Sequence, residues 1–266
     1  MARNSLKSVL RLIDDIKDEL PIEQSFLNDL NKSTEMDNDK NKREPSQSYK
    51  PSSMNCIRNM WYQVTGHPQE PSAIDYAGIG ICDSGTDIHE RTQRSVAGMI
   101  ENGFDCEYVN VADFVRNRNL NYLEIKGQNP AGTETKLYHK DLNMSFLCDG
   151  IIKYRGVYYI LELKTEAGFK WNARKGVDPK HYAQGTAYSI AFGLDNVIFV
   201  YISRDVLSRK AYMFTPTNEM KEELIGKITN CDSYIAKDEL PPKPEELPKG
   251  TCSYCAYYNA CKNELK

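Results

Sequence analysis

The chain has 266 residues, 40% of them hydrophobic, which is enough for the core of one large or two smaller domains. Its formal net charge of −3 excludes binding to a polyanion through bulk charge, so such a partner would need a local basic strip or bound metal ions. The sequence has no run of about 18 apolar residues and no secretory signal pattern, so we expect no membrane span and a reducing, cytoplasmic setting, the host cytoplasm if the chain is viral.

The first part of the chain is predicted to stand apart from the rest. Apolar residues recur at helical spacing and predict an N-terminal helical element over residues 1–30, interrupted at Pro21. Residues 31–53 contain almost no apolar side chains, which predicts a flexible polar linker. The main domain is then expected over residues 54–266.

Helix and strand signals are mixed through this main domain. Helices are predicted at 54–66, 84–103, 178–193 and 217–235. Strands are predicted at 105–115, 121–126, 134–140 and 196–203, with a hairpin at 148–165. Strands mixed with crossover helices indicate an α/β or α+β domain.

The predicted hairpin, CDGIIKYRGVYYILELKT, carries acids and a lysine near one end of two apolar strands. If Arg155 and Gly156 form a two-residue turn, Asp149 lies directly opposite Glu162, with Cβ atoms roughly 4.5–5.5 Å apart. Because side chains alternate along a strand, Lys164 falls on the same face as Glu162. The pattern therefore predicts a cluster of charged groups at one end of the hairpin.

Two carboxylates placed face to face repel each other, and a hard divalent cation such as Mg²⁺ or Mn²⁺ offsets that repulsion. Lys164 could then steer an attacking water or hold a phosphate oxygen. The alternative is a surface hairpin with an ordinary Glu–Lys pair. A second triplet of this kind, Glu124 to Lys126, has no well-spaced aspartate on a preceding hairpin strand.

Asp149 followed by Glu162, Leu163 and Lys164 resembles the motif of the PD-(D/E)XK nuclease superfamily. Cys148 stands where that family has proline, which leaves the aspartate in place. The resemblance implies a restriction-endonuclease-like core, in which helices flank a mixed central sheet.

Two further motifs resemble the RecB-type branch of this superfamily, over about residues 54–262. His89 lies in GTDIHE on a predicted helix, and Gln184 and Tyr188 match the Q-x-x-x-Y motif of a later helix. Residues four apart share a helix face, so these two side chains can point together at the site. They are expected to position the substrate strand or the catalytic lysine.

The resemblance implies hydrolysis of phosphodiester bonds with the help of one or two Mg²⁺ or Mn²⁺ ions. The implied metal ligands are His89, Asp149, Glu162 and the backbone carbonyl of Leu163. Lys164 would orient the attacking water or stabilise the transition state. The histidine tilts the preference towards Mn²⁺.

In a reducing compartment the eight cysteines are expected to be buried thiols or metal ligands. Cys252, Cys255 and Cys261 lie in CSYCAYYNAC, one thiolate short of a tetrahedral metal site. With Cys56 as the fourth, they resemble the iron–sulfur branch of these nucleases, which includes the AddB nuclease domain and the CRISPR-associated RecB-like exonucleases. That resemblance implies a [4Fe–4S] cluster that clasps the N- and C-terminal parts of the domain. A Zn²⁺ site with the same ligands is the alternative.

The loop after Lys164 combines basic and aromatic residues, which suit a single strand through phosphate contacts and base stacking. Arg174 and Lys175 are its predicted substrate-binding residues, and an ordinary exposed loop is the alternative. Together the motifs predict a metal-dependent DNA exonuclease, acting at DNA ends or on single strands, with recombination or replication proteins as possible partners. The other hypotheses are a non-cleaving or partner-dependent DNA-end-binding subunit of a recombination or CRISPR-adaptation complex, and a zinc-stabilised structural protein.

Overall fold

The structure is a computed structural model that describes residues 21–40, 47–69, 74–129 and 132–263. The chain divides into two compact units, the first formed by Met1–Arg43 with Ala73–Cys82 and the second by Glu44–Ser72 with Asp83–Lys266. The predicted helix over residues 1–20 and the linker residues 41–46 lie outside the described residues.

The first unit contains helix α1, Ile22–Lys40, which corrects the predicted linker. Residues 31–40 are helical rather than irregular, because this stretch has no glycine or proline to interrupt a helix. None of the residues of α1 is buried, and Lys40 pairs with Asp37 at 2.9 Å across one turn. The apolar spacing predicts the first part of this helix, up to residue 30, whereas residues 31–40 have almost no apolar side chains to predict the rest.

The remaining described helices are α2 Ile57–Val64, α3 Tyr76–Ala97, α4 Val111–Asn117, α5 Gly168–Ala173, α6 Tyr182–Phe192, α7 Asn218–Ala236 and α8 Tyr258–Asn263. Short 3₁₀ turns lie at Pro51–Ser53, Pro179–His181 and Cys252–Tyr254. The strands are β1 Cys106–Val109, β2 Leu123–Gln128, β3 Thr135–His139, β4 Met144–Cys148, β5 Gly150–Tyr154, β6 Val157–Glu166, β7 Val197–Ser203 and β8 Arg209–Phe214. None of the helices in these ranges has the length and apolar character needed to cross a membrane.

A five-stranded mixed sheet lies at the centre of the second unit, in the order β1-β5-β6-β7-β8. Strands β6 and β7 are parallel and the other neighbours are antiparallel. Ile160 of β6 packs in one core cluster with Phe192 of α6, while Leu163 packs in another with Val96 of α3. The sheet is therefore covered by helices on both faces, and the predicted α/β class with a mixed central sheet is confirmed.

A second, three-stranded antiparallel sheet has the order β2-β3-β4. The strand predicted over 105–115 is shorter than expected, because β1 ends at Val109 and α4 begins at Val111. Asn110 caps this helix, its side chain accepting a hydrogen bond from the Asp113 N–H at 3.1 Å.

Helix α6 begins and ends as the sequence pattern predicts. The Asp178 side chain accepts from the Lys180 N–H at the start of the preceding 3₁₀ turn, and Gly193 ends the helix in the left-handed conformation. These two ends hold the helix across the sheet, with Gln184 on its buried side.

Candidate active site

The predicted hairpin turn is present and fixes the register of the site. Arg155 and Gly156 both have positive φ, at 49° and 80°, and Tyr154 pairs with Val157. The ladder continues to Gly150 opposite Leu161. One step further in this register, Asp149 falls opposite Glu162.

The arm that carries Asp149 is not one continuous strand, as the sequence pattern suggested. Strand β4 ends at Cys148 in the small sheet, and β5 begins at Gly150 in the central sheet. Asp149 is the single residue between them. Since β5 starts only at Gly150, the edge of β6 beyond Leu161 is open to side chains from elsewhere.

Asp149 takes the place of a neighbouring strand at this edge. Its Oδ2 accepts a hydrogen bond from the Leu163 N–H at 2.7 Å. In a strand the carbonyl of a residue points to the same edge as its N–H, so the Leu163 carbonyl is directed to the same side as Asp149. Asp149 Oδ1 lies 3.5 Å from Nδ1 of His89 on α3. The structure thus brings together three of the four predicted metal ligands.

Burial lowers the pKa of His89, but its hydrogen bond to Asp149 and the negative charges of Asp149 and Glu162 outweigh that effect and raise it. The carboxylates around His89 therefore determine the direction of its pKa shift. A cation bound among these groups would change that pKa strongly.

Glu162, the fourth predicted ligand, is 3% exposed on the face of β6 that meets α6. Its Oε1 accepts hydrogen bonds from Lys164 Nζ at 2.6 Å and from Gln184 Nε2 at 2.7 Å. Its Oε2 is buried and has no hydrogen-bond partner in the part of the chain that the structure describes. Burial raises the pKa of Glu162, with the Lys164 ammonium opposing the shift and the Asp149 carboxylate adding to it.

Gln184 and Tyr188 of α6 lie on one face and contact each other, as their spacing predicts, and Gln184 also contacts Lys164 and Glu162. Gln184 Oε1 accepts from Lys164 Nζ at 2.9 Å, and Gln184 Nε2 also donates to Tyr188 Oη at 3.0 Å. The Tyr188 hydroxyl donates to the Leu147 carbonyl at 2.9 Å, and the residue is 3% exposed. Tyr188 therefore holds Gln184 in place, and its role towards a substrate stays a prediction.

Two residues that the sequence analysis missed anchor the chain where it changes sheets. Gln93 Nε2 donates to the Asp149 carbonyl at 2.8 Å and to the Thr133 carbonyl at 3.0 Å. The Tyr108 hydroxyl reaches the same two carbonyls. Gln93 follows His89 by four residues, so helical spacing from the histidine could have pointed to it.

The four cysteines of the predicted cluster, Cys56, Cys252, Cys255 and Cys261, lie near one another. Burial raises the pKa of the Cys255 thiol, and the charges of the other three add to the shift against a backbone hydrogen bond from Tyr257. Two neighbours on α2 also contact the sulfurs: Asn59 Nδ2 and Arg58 Nη1 lie 3.5 Å from Cys255 Sγ and Cys261 Sγ respectively.

Across the described part of the chain, no group of three or more His, Cys, Asp or Glu side chains is arranged so that it could hold a metal ion. The chemistry of the donors nevertheless suits metals. Glu162 Oε2 is a buried carboxylate oxygen without a partner, beside Asp149, and hard cations bind carboxylate oxygens. Four neighbouring thiols are the donor set that iron–sulfur clusters and zinc use.

Arg174 and Lys175, which the sequence analysis paired as substrate-binding residues, line the same cavity but differ in their ion pairs. The Arg174 guanidinium donates to both oxygens of Glu166 at 2.6 and 2.7 Å and to Asp178 at 3.2 Å. It also lies 4.0 Å from the ring centroid of Tyr201, and its side chain is 10% exposed. The Arg174 guanidinium is thus held in a buried ion pair, while the residue still lines the cavity, and its role in substrate binding stays a prediction.

Lys175 is exposed and lines a basic cavity of about 690 Å³, together with Lys170, Lys180 and Lys249. None of the ion pairs in the described ranges involves these four lysines. Lys180 also lines a second cavity, of about 340 Å³, which Lys164 and Gln184 border. The basic cavity therefore adjoins the site at Lys164.

No protein-family model matches the sequence, and the comparison with curated proteins also gives no match. Among solved structures, the chain is similar to that of SSO0001. The sequence identity is 17% and the TM-score is 0.44, over 92% of this chain and 100% of that one. It is also similar to an alkaline exonuclease (LHK-Exo) from Laribacter hongkongensis, at 12% identity and a TM-score of 0.44, over 84% of this chain and 96% of that one. The same exonuclease in complex with dAMP gives 10% identity and a TM-score of 0.42 over the same shares of both chains. Similarity this distant assigns no function, which has to follow from the geometry of the site itself.

Proposed function

We propose that the chain is a metal-dependent deoxyribonuclease of the PD-(D/E)XK type that hydrolyses phosphodiester bonds at DNA ends or on single strands. One observation carries the proposal. Buried Glu162 has one oxygen held by Lys164 and Gln184, while its other oxygen has no hydrogen-bond partner among the described residues. A buried carboxylate oxygen without a hydrogen-bond partner lowers the stability of the folded protein. A cation bound at this oxygen would supply the missing partner.

Asp149, Glu162, His89 and the Leu163 carbonyl would hold Mg²⁺ or Mn²⁺. When bound, the cation would lower the pKa of a water molecule and neutralise charge that builds up on the phosphate. The Asp149 hydrogen bond to the Leu163 N–H supports this ligand set, because it fixes the carboxylate and the carbonyl at the same edge of β6.

Lys164 is held by two acceptors, Glu162 Oε1 and Gln184 Oε1. An ammonium has three N–H donors, so one remains for the attacking water or for a phosphate oxygen. Its side chain is 23% exposed and borders the cavity of about 340 Å³. Gln184, fixed by Tyr188, sets the direction of that third donor.

The basic cavity supports DNA as the substrate, because its four lysines, which form no ion pair with the described residues, suit a phosphate backbone. The cavity beside Lys164, at about 340 Å³, has the size of a small-ligand pocket and suits one nucleotide of a single strand better than a duplex. This favours a strand that enters by an end or in single-stranded form.

Hydrolysis of end-labelled single- and double-stranded DNA tests the proposal, with Mn²⁺ or Mg²⁺ present. We expect the protein to cleave DNA and Asp149→Asn to lose that activity. Glu124→Gln, which changes an exposed acid, is the matched control and should retain it. Equal activity in all three proteins would point to contamination, and no cleavage by the unsubstituted protein would leave the non-cleaving DNA-end-binding subunit in its place.

Thermal unfolding with added Mn²⁺ provides a readout that does not depend on activity. A cation that binds only the folded state stabilises it by about 2.7 kcal/mol at one hundred times its dissociation constant. Mn²⁺ should therefore raise the Tm of the unsubstituted protein and of Glu124→Gln, and should leave that of Asp149→Asn unchanged. A shift of the same size in Asp149→Asn would place the cation elsewhere.

We also propose a [4Fe–4S] cluster on Cys56, Cys252, Cys255 and Cys261, with Zn²⁺ as the alternative. The proximity of the four thiols supports it, together with the Arg58 and Asn59 side chains of α2, which lie 3.5 Å from Cys261 Sγ and Cys255 Sγ. Anaerobically purified protein should be brown, and Cys255→Ser should remove iron and colour. Cys106→Ser, at a buried cysteine of the central sheet, should retain both. Colourless, zinc-loaded and fully active protein would contradict the cluster.

A further inference from the structure

His181 lies at the end of the 3₁₀ turn before α6 and faces the same small cavity as Lys164. Its ring is stacked beside Phe199 and Tyr201, at centroid distances of 5.9 and 5.7 Å. Packing against these two rings fixes the orientation of the imidazole. Neither the metal ligands nor the Lys164 contacts described above make use of this histidine.

The hydrogen bonds of Tyr201 determine which nitrogen of His181 carries the proton. The Tyr201 hydroxyl oxygen accepts from the Asp178 N–H at 3.0 Å and lies 2.8 Å from His181 Nδ1. A fully buried hydroxyl needs an acceptor for its own proton, and Nδ1 is the acceptor that the described residues offer. Nδ1 is therefore unprotonated, and the proton of the neutral ring is on Nε2.

His181 Nε2 makes no hydrogen bond to the described residues, and it is not among their buried polar atoms without a partner. It is therefore open to the cavity. Burial, with the nearby Lys164 ammonium, lowers the pKa of His181 to about 3. The ring is thus a neutral N–H donor, aimed where a ligand would sit.

The rest of this cavity is polar and positive. Lys164 and Lys180 border it, Asn55 and Asn59 contribute amides, and none of the described residues that line it is Asp or Glu. Cys255, one of the four proposed cluster ligands, lies at its edge. Donors and positive charge without carboxylates suit an anionic acceptor. A phosphodiester group has that chemistry, and a nucleotide matches the volume of about 340 Å³.

We propose that this cavity is a subsite for the phosphodiester group next to the one cleaved, and that His181 contacts that group through a neutral Nε2–H. The subsite rests on the proposed nuclease function for its place in the reaction. His181 binds and positions the strand, while Lys164 acts at the neighbouring phosphate. Tyr201 is a positioning residue, because it holds the proton on Nε2.

Substitutions at His181 separate a donor contact from mere packing. Binding of a short fluorescent DNA single strand is measured by anisotropy in EDTA, where no cleavage occurs. His181→Ala should weaken binding about tenfold, the usual worth of a hydrogen bond to a charged group. His181→Gln, whose amide N–H reaches the place of Nε2, should recover most of that loss. His181→Asn, whose shorter amide reaches only the place of Nδ1, should not.

Two further measurements identify the ligand atom and the tautomer. With a strand of uncharged methylphosphonate linkages, the loss of binding in His181→Ala should become smaller, because the remaining P=O oxygen is an uncharged and weaker acceptor. In ¹⁵N-histidine NMR spectra, His181 should carry its proton on Nε2, and Tyr201→Phe should raise the share of the Nδ1–H tautomer. If cleavage occurs, His181→Ala should raise KM about tenfold and change kcat little.

Three results would overturn the subsite: His181→Gln binding as weakly as His181→Ala, an undiminished His181→Ala defect on the methylphosphonate strand, or a proton on Nδ1. The Gln and Asn variants keep the comparison valid if His181→Ala does not fold. The subsite and the nuclease function can also fail separately. If DNA binding depends on His181 but the protein does not cleave DNA in Mn²⁺, the subsite is retained and the nuclease function is rejected. If the protein cleaves DNA and substitution of His181 has no effect, the nuclease function is retained and the subsite is rejected.

Discussion

The described strands contain two Glu-x-Lys triplets, and each forms an ion pair. Glu162 and Lys164 are 2.6 Å apart, and Glu124 and Lys126 are 2.7 Å apart. The glutamate side chain is 4% exposed in the first pair and 49% exposed in the second. The triplet and the contact are thus the same, and the surroundings differ.

The difference follows from the position of each strand. Strand β6 lies between β5 and β7 in the central sheet, with helices on both faces, whereas β2 is an outer strand of the three-stranded sheet. An exposed pair in water contributes little to stability, about 0–1 kcal/mol. A buried pair has to be surrounded by partners, which Gln184 supplies here. Burial, not the triplet, marks the first pair as a candidate for chemistry.

The largest expected effect tests this comparison directly. Lys164→Met should reduce DNA hydrolysis about 10²–10³-fold, as removal of one pre-positioned charge stabiliser does in other enzymes. Lys126→Met, the same change at the exposed pair, should alter it less than about twofold. Initial rates with Mn²⁺ at saturating DNA measure both. Equal losses, or none in either variant, would mean that burial does not distinguish the pairs.

The adjacent residues Arg174 and Lys175 repeat the contrast between a buried and an exposed charge. Arg174→Ala leaves the buried Glu166 without its bidentate partner, so it should lower the free energy of unfolding by about 3 kcal/mol. Lys175→Ala should leave stability unchanged. It should instead weaken single-strand binding and reduce the slope of log K against log salt by about 0.7, the loss of one phosphate contact.

Urea denaturation measures the first effect and a salt titration of strand binding measures the second. The two variants serve as controls for each other. If Arg174→Ala were fully stable but bound DNA poorly, the ion pair would be dispensable and the arginine would belong to the substrate surface after all. If the salt slope did not change in Lys175→Ala, the lysine would not contact the strand.

Much of the site could be predicted because its residues obey local periodicities. The Arg155-Gly156 turn fixes the alignment of β5 and β6, which places Asp149 opposite Glu162. Helical spacing places Gln184 and Tyr188 on one face. In each case the sequence separation alone determines which side chains can meet.

The rest depends on contacts between distant parts of the chain. The pairing of Arg174 with Glu166 and Asp178 requires the loop to fold back on β6, which its basic composition does not reveal. The change of sheet at Asp149 depends on Gln93 and Tyr108, which approach from other elements. Such tertiary hydrogen bonds have no period, so a pattern along the chain cannot predict them.

The smallest expected effect concerns two glycines. Gly150 follows Asp149, the residue opposite Glu162, and Gly127 follows Lys126 of the exposed pair. A Cβ on Gly150 would collide with the Tyr108 hydroxyl, whereas a Cβ on Gly127 would meet no atom within 4 Å. The Tyr108 ring is rigid, and its hydroxyl is bound to the Asp149 and Thr133 carbonyls, so it cannot move aside without losing them. Gly150→Ala should therefore destabilise the fold by about 2 kcal/mol, in the range of overpacked cores.

Gly127→Ala should change the free energy of unfolding by less than about 0.5 kcal/mol, as surface substitutions usually do. Chemical denaturation of the two alanine variants measures the difference. Because the displaced Tyr108 would release the Asp149 carbonyl, Gly150→Ala should also weaken Mn²⁺ stabilisation, which Gly127→Ala should retain. Equal stability of the two variants would show that the backbone at Asp149 can move to make room for the added methyl group. The hydrogen bonds from Tyr108 and Gln93 would then not fix the position of the Asp149 carboxylate.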